Sequence, residues 1–390
     1  MTILLDSLFF AVAVSHFGVD ILNGSVGVLL AYLSGPLGLT NTMLGAASTA
    51  YHVTGALAQP FFGYLTDRIG PRWVVAGGVL WIGVSFSLVA ITPGWGALAL
   101  LIAGSLGSGA FHPAGTMQAT LVGRDRFAGR ETSSSSYFFL LGQAGLFLGP
   151  LLGGLLLGMT GPRGWLLLTA PVLPVAWNAA RQLKFNGFVA PNREKAQPTK
   201  KFTLQIGLAV LVAFALMAAL RAMVQQNMNT FVPKYLSDLG YAPAVYGLIT
   251  ALFMGGSAIG NVMGGNLADR FGGRRVAGST LFLCALPLVV LPSVQGIGWL
   301  YLLIPLAGAF SGASHSIVVV FAQRILPGGM ATASGTILGF MFAMGALGTW
   351  WSGYLADLWG IPAVFWLSAG LAIAAALLAG VLKDKDNVDE

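Results

Sequence analysis

A chain of 390 residues that is 56% hydrophobic and only 8% charged has too little polar surface to cover a water-soluble fold, so its solvent is lipid. Its apolar runs are continuous rather than alternating, which excludes a strand-built barrel. A formal net charge of +7 invites a nucleic-acid reading that the placement of the basic residues removes, and a single cysteine, Cys284, excludes an internal disulfide.

About 20 apolar residues carry a helix across about 30 Å of hydrocarbon. Taken in chain order, such runs fall at 7–33, 43–66, 72–92, 96–121, 133–158 and 163–185, then at 203–232, 244–268, 275–293, 297–322, 331–356 and 361–382. Twelve spans follow. The first has no basic residue before it and leads into further spans, which reads as an uncleaved helix rather than a signal peptide. Between the sixth and seventh runs, Gly187 to Phe202 is polar and holds Pro191 and Pro198. The spacing predicts six-helix domains at 1–186 and 203–390 joined by a cytoplasmic linker at 187–202.

Basic residues are retained on the cytoplasmic side of a membrane. With both termini inside, 17 of the 20 Lys and Arg fall in cytoplasmic loops or the tail; Arg163 and Lys234 fall outside and Arg221 within the membrane. The charge is therefore topology, with no nucleic-acid partner, and it places a multi-pass chain in the cell's inner (plasma) membrane.

Three sequence words repeat at nearly one spacing. GYLTDRIG (63–70) and GNLADRFG (265–272) lie 202 residues apart, while SGAFH (108–112) meets SGASH (311–315), and LGQAG (141–145) meets MGALG (344–348), at 203. The two halves are copies of one unit.

Charges inside the membrane are costly and mark function. Asp20 is the one acid placed within a span, and His16, four residues earlier, shares its helix face, so the two form a candidate proton site; a structural Asp paired to a neighbouring helix is the alternative. Arg221 lies deep in the seventh span, followed by Gln225, Gln226, Asn227 and Asn229. This stretch reads as the wall of a substrate path, with the guanidinium suited to a carboxylate, phosphate or phosphonate, or else paired internally with Asp20. His112 and His315 occupy matched positions and either face that path or hydrogen-bond within a packed interface. Gln225, Asn229, His112, His315 and Arg221 are the candidate substrate-binding residues. Tyr137, Phe138 and Phe139 read as lipid-facing or core. No HExxH, GxSxG in a suitable context or GxxxxGK occurs, so neither an enzyme nor an ATP-driven machine is expected, and no metal or cofactor.

The segments GYLTDRIGPRW (63–73) and GNLADRFGGRR (265–275) resemble the signature loop of the major facilitator superfamily. The resemblance implies an all-α membrane protein with twelve transmembrane helices in two pseudo-twofold-related six-helix bundles that rock about a central site. It also implies that Asp67 with Arg68 and Arg72, and Asp269 with Arg270 and Arg274, gate the inner side. GLFLGPLLGG (145–154) resembles the second part of the superfamily's antiporter motif, with Ser136 where the first glycine would stand. Gly145, Gly149, Pro150, Gly153 and Gly154 are then an interface stripe, expected to face Gly256, Gly260 and Gly264 across the bundle interface.

SHFGVD (15–20), QPFFGYLTD (59–67), FHPAG (111–115), AQRILPG (322–328) and GFMFAMGALG (339–348) are similar to the fosmidomycin-resistance group of drug-efflux proteins. That likeness implies a secondary transporter: a proton-coupled antiporter exporting small anionic or drug-like organic compounds, and so conferring drug resistance. A proton-coupled symporter importing an organic or inorganic anion is the alternative on the same scaffold. The partners expected are a small anionic substrate, protons and the lipid bilayer, with the protein a monomer.

Overall fold

In a computed structural model of the chain, residues 3–127, 131–185, 208–294, 296–325 and 330–380 are described. The linker and the side chains of Asp67 and Asp269 lie outside the described residues. Among those residues the chain is helical, with no strand. The helices are α1 (Ser7–Ser34), α2 (Asn41–Ile69), α3 (Pro71–Ile91), α4 (Trp95–Arg126), α5 (Glu131–Thr160), α6 (Trp165–Thr169) and α7 (Val172–Phe185). The second half supplies α8 (Leu208–Asp238), α9 (Pro243–Phe271), α10 (Gly273–Val290), α11 (Ile297–Ala313), α12 (His315–Ile325), α13 (Met330–Trp359) and α14 (Ile361–Ala379). Helices α6 and α7 share the sixth crossing and α11 and α12 the tenth, so the fold is an all-α membrane protein of twelve crossings.

Nine stretches among the described residues are long and apolar enough, taken singly, to cross a membrane. One of them, Tyr137–Leu183, joins the fifth and sixth crossings. The crossings not among the nine are α2, lined by Ser48, Thr49, Tyr51, His52 and Gln59, and α13, whose Gly345, Gly348, Thr349, Trp350 and Trp351 dilute its hydropathy. Within α2, polar side chains find partners that lipid would not provide, as Tyr51 does on Asn23.

The repeat extends from sequence words to backbone turns. Gly70 (φ +83°) precedes α3 and Gly272 (φ +87°) precedes α10, a left-handed conformation that glycine adopts without strain. Each closes its turn with the same bond, from Gly70 N–H to Thr66 O and from Gly272 N–H to Ala268 O, both 2.9 Å. Gly38 and Gly240, and Gly94 and Gly296, also have positive φ and are also 202 residues apart.

The described helices pack as two compact units. One comprises Met1–Gly38, Ala50–Lys195 and Leu239–Ala251; the other comprises Leu39–Thr49, Ala196–Asp238 and Leu252–Glu390. The two exchanged segments, at the starts of α2 and α9, are matched by the same repeat.

Within the first unit, α1 and α5 approach through glycines. A Cβ at Gly145 would lie 2.9 Å from Ile21 N, one at Gly149 would lie 3.1 Å from Ser25 N, and one at Gly24 would lie 2.7 Å from Leu146 O. The stripe on α5 was expected to face the glycines of α9, and the structure corrects this. Gly145, Gly149 and Gly153 are covered by α1 and Trp165, and of the stripe Pro150 and Gly154 meet α9, at Gly247, whose would-be Cβ runs into Pro150 O and lies 2.8 Å from Gly154 Cα. Gly256, Gly260 and Gly264 instead seat the carbonyls of Pro305, Ala309 and Ala313 from the tenth crossing, each too close to admit a Cβ. Small residues four apart let two backbones touch, and each stripe spends that property on a neighbour in its own unit.

Asp6 fixes the start of α1. Its Oδ1 accepts from the backbone N–H groups of Leu8 (3.0 Å) and Phe9 (2.9 Å), and its Oδ2 pairs with Arg126 at the end of α4 at 2.7 Å.

In the second unit Asp357, just past the eleventh span, caps α2 from a distance: Oδ1 accepts from Asn41 N–H (2.7 Å) and Oδ2 from Thr42 N–H (2.8 Å). Partial burial raises the carboxyl, but hydrogen bonds from Thr42, Asn41 and Thr40 outweigh it and hold the group below the ordinary carboxylate range. A depressed carboxyl stabilises above its unfolded value, near pH 3.9, and that support is lost as pH falls through the folded value. Acidification below about pH 4 should therefore raise hydrogen exchange in the first turn of α2, and Asp357→Ala should raise it already at neutral pH. Equal protection in the variant and the parent would remove the cap.

Candidate functional site

In the first unit the site is built on the middle of α1. His16 and Asp20 stand one turn apart and are 2% and 5% exposed. His16 Nε2 lies 3.1 Å from Asp20 Oδ2. His112 of α4 reaches the same carboxylate, with Nε2 3.4 Å from Oδ1. Helix α4 stays helical through Pro113, the residue after His112, and so holds the imidazole in register. Asn23 donates to Asp20 Oδ1 (2.9 Å) and to Ser108 Oγ (3.0 Å), and accepts from the Tyr51 hydroxyl at 2.6 Å. Phe138 of α5 stacks on His16 with ring centroids 4.0 Å apart and takes the His16 Nδ1–H on its carbonyl oxygen at 2.8 Å.

Gly142 leaves the space for this cluster. A Cβ there would lie 2.6 Å from His16 Nε2 and 2.8 Å from Asp20 Oδ2, well inside van der Waals contact. Gly142→Ala should displace the imidazole and cost about 1–3 kcal/mol, read as a lower thermal midpoint. Gly18→Ala, where a Cβ meets nothing within 4 Å, is the control, and equal shifts for both would deny Gly142 this role.

In the second unit the matching region is built on α8. Arg221 is 4% exposed. Its Nε donates to Ser314 Oγ at 2.9 Å and its Nη1 reaches only the Met341 sulfur at 3.9 Å. Among the described residues no carboxylate pairs with it. Ser314 sits at a break in the tenth crossing, between α11 and α12, and the freed N–H of Ser316 is taken by Asn261 Oδ1 at 3.0 Å. His315 opens α12 directly after that break. Gln225 accepts from Ser311 Oγ at 3.0 Å, while Asn229 Oδ1 is buried with no hydrogen-bond partner among the described residues.

The same kind of contact thus recurs inside each unit. Asn23 with Ser108 in the first and Gln225 with Ser311 in the second are matched at offsets of 202 and 203, and each bond is 3.0 Å. Around that recurring bond the charges are opposite: a carboxylate between imidazoles in one, a guanidinium with no acid among the described residues in the other.

Sequence reading placed His112 with the substrate-binding residues, whereas the fold seats it on Asp20. It found neither Asn23, Ser108 and Gly142 nor Ser311 and Ser314, although Ser108, Ser311, Ser314 and Gly142 lie inside the repeated words. Phe138, read as lipid-facing or core, is fully buried against His16. His16, Asp20 and His112 are the one group of three such side chains among the described residues, with ligand atoms all within 4.8 Å, close enough to share a proton or a cation. Their separation of 92 residues hides that group from any spacing rule. At the signature loops, Arg68 lies over the Tyr64 ring (5.0 Å) and Arg270 is exposed. Arg72 stacks on Trp73 (4.2 Å) and donates to Ala180 O of α7 at 2.9 Å.

Comparisons with known proteins cover the whole of this architecture. A fosmidomycin resistance protein of Escherichia coli (strain K12) is 26% identical over 380 residues, spanning 94% of this chain and 90% of that protein. A gentisate transporter of Corynebacterium glutamicum is 23% identical over 377 residues, spanning 91% and 82%. Among solved structures, a bacterial homolog to the human lysosomal transporter Spinster, in an inward-facing and occupied conformation, is similar with a TM-score of 0.77 at 14% identity, over 97% of this chain and 95% of that one. The Major Facilitator Superfamily pattern matches residues 8–220 and 214–389. With both halves matched, the chain belongs to the Major Facilitator Superfamily and is a transporter rather than an enzyme.

Proposed function

We propose that the protein is a proton-coupled antiporter that exports small anionic or drug-like organic compounds across the inner (plasma) membrane by alternating access, as a monomer with both termini cytoplasmic. The observation that carries this reading is the pair of opposite charges around one repeated contact: Asp20 between His16 and His112, and Arg221 buried without an acid among the described residues. An isolated buried charge costs several kcal/mol. An anionic substrate relieves that cost at Arg221, with Gln225, Asn229 and His315 at hand for its polar groups, and protons relieve it at Asp20. Exchange follows when filling one hub weakens the other. The signature loops with Asp67 and Asp269 then act as inner gates, with Arg68, Arg72, Arg270 and Arg274 beside them.

The names borne by the relatives, a fosmidomycin resistance protein and a gentisate transporter, support a small organic solute. The second name also keeps the import reading open. Sealed inverted vesicles with an acidified lumen separate the two. When fosmidomycin, gentisate or another organic anion is added outside, antiport drives protons out of the lumen and symport carries them in. Movement of the anion with no proton flux would refute coupling altogether.

A further inference from the structure

Backbone carbonyls orient both imidazoles of the first-unit cluster. His16 Nδ1 lies 2.8 Å from Phe138 O, and His112 Nδ1 lies 2.8 Å from Ser108 O. A carbonyl oxygen only accepts, so Nδ1 carries the hydrogen in both rings; the tautomer is assigned from these acceptors. Ser108 Oγ, 3.2 Å from the same His112 nitrogen, does not alter this. A hydroxyl hydrogen aimed at a bare Nδ1 would leave the shorter carbonyl contact as acceptor against acceptor.

With Nδ1–H fixed, a neutral ring presents a bare Nε2. Two bare nitrogens would then face the two oxygens of one carboxylate, at 3.1 Å and 3.4 Å. Acceptor against acceptor at those separations repels, and each contact becomes a hydrogen bond only with a proton in it. The surroundings offer no substitute. Asn23 already donates to Oδ1, and α5 presents Phe138, Phe139 and Gly142, none of which titrates. From α2 comes Tyr51, whose hydroxyl is spent on Asn23, with the His52 ring 5.3 Å beyond it.

We infer that His16, Asp20 and His112 form a two-proton site, one proton on each contact between an Nε2 and the carboxylate, with His112 as the second carrier. On loading, each Nε2 takes one proton from water while the carboxylate stays ionised between two imidazolium rings, and the cluster changes from −1 to +1. On unloading, both return to water. The two protons hold different things: that of His16 bridges residues of α1 alone, whereas that of His112 ties α4 to α1, beside the Asn23–Ser108 bond between the same helices. The inference deepens the proton-coupling reading and rests on it only for the part the protons play in transport.

The chain has four histidines, few enough to follow one by one. Full-length protein labelled with 15N-histidine in lipid nanodiscs is titrated from about pH 5 to about pH 10, with His16→Gln, His52→Gln, His112→Gln and His315→Gln used for assignment. His16 and His112 should both carry two ring hydrogens at the acid end, both lose Nε2–H first, and titrate in coupled steps. His112→Gln should reduce the cluster's uptake from two protons to one. An Nε2–H tautomer in either neutral ring would overturn the inference, as would a His112 that stays neutral throughout. Spectra that change on adding EDTA would assign the cluster to a bound cation and overturn it too. Both protons present in protein whose vesicles show no coupled flux would uphold the two-proton site and remove the transport reading alone.

Discussion

Asp20→Asn should reduce substrate-driven proton release from inverted vesicles to that of vesicles lacking the protein. Asparagine keeps the size of the side chain, and its amide can donate to a bare Nε2 at the 3.1 Å now spanned to the carboxylate. The cluster therefore stays assembled while losing the charge that draws protons to it. Removing a whole partner from a buried ionic group costs about 3–5 kcal/mol, and the amide avoids most of that. The thermal midpoint should remain near the parent's, so lost coupling is not lost folding. Proton release equal to the parent's would take Asp20 out of the mechanism, and with it the exchange reading of the first unit.

Arg221→Gln should weaken binding of organic anions by roughly tenfold to a hundredfold while changing neutral analogues of the same shape little. A hydrogen bond to a charged group is worth about 1.5–3 kcal/mol, and each 1.4 kcal/mol is about tenfold in Kd. Gln retains one amide to donate toward Ser314 Oγ, which now accepts from Arg221 at 2.9 Å, so the break before α12 keeps its neighbour. Titration calorimetry on an anion and its uncharged ester reads the difference directly. Equal loss for both ligands would make the guanidinium a packing element of the second unit.

The crossings were legible because lipid imposes a length on every helix, and the predicted spans agree with the observed helices to within a few residues at most ends. Breaks inside crossings were not legible. Proline marks the wrong places: α4 passes through Pro113 and α11 through Pro305 without interruption, while the tenth crossing breaks at Ser314. Nothing about serine in an apolar run announces that break. Its reason lies in the fold, where Asn261 takes up a freed N–H and Arg221 takes the Ser314 hydroxyl. The pairing of His16 with Asp20 was visible from helical spacing alone, whereas His112 joins them only through the packing of α4 on α1. Gly142 was quoted as part of a repeat, and its use is steric, so it shows only once the His16 ring is in place. The stripe on α5 was read as meeting the eighth span, which Pro150 and Gly154 do at Gly247 while Gly145, Gly149 and Gly153 turn to α1 and Trp165, since glycine spacing names a face and never what covers it.

The pair of Asp6 with Arg126 joins the start of α1 to the end of α4, and Asp20 with His112 joins the same two helices about 21 Å further along. The outer tie is a permanent ion pair, while the inner one depends on a removable proton. Beside the inner tie, the Asn23–Ser108 bond joins the same two helices without any titrating proton, so losing the inner tie leaves α1 and α4 held at two points rather than three. Glycine contacts bind α5 to α1 along the same length. Ser34, about 42 Å from Asp6, lies about as far beyond Asp20 as Asp20 lies from the outer tie. The one tie whose bond needs a proton thus sits half-way along α1, backed by a neighbour that does not.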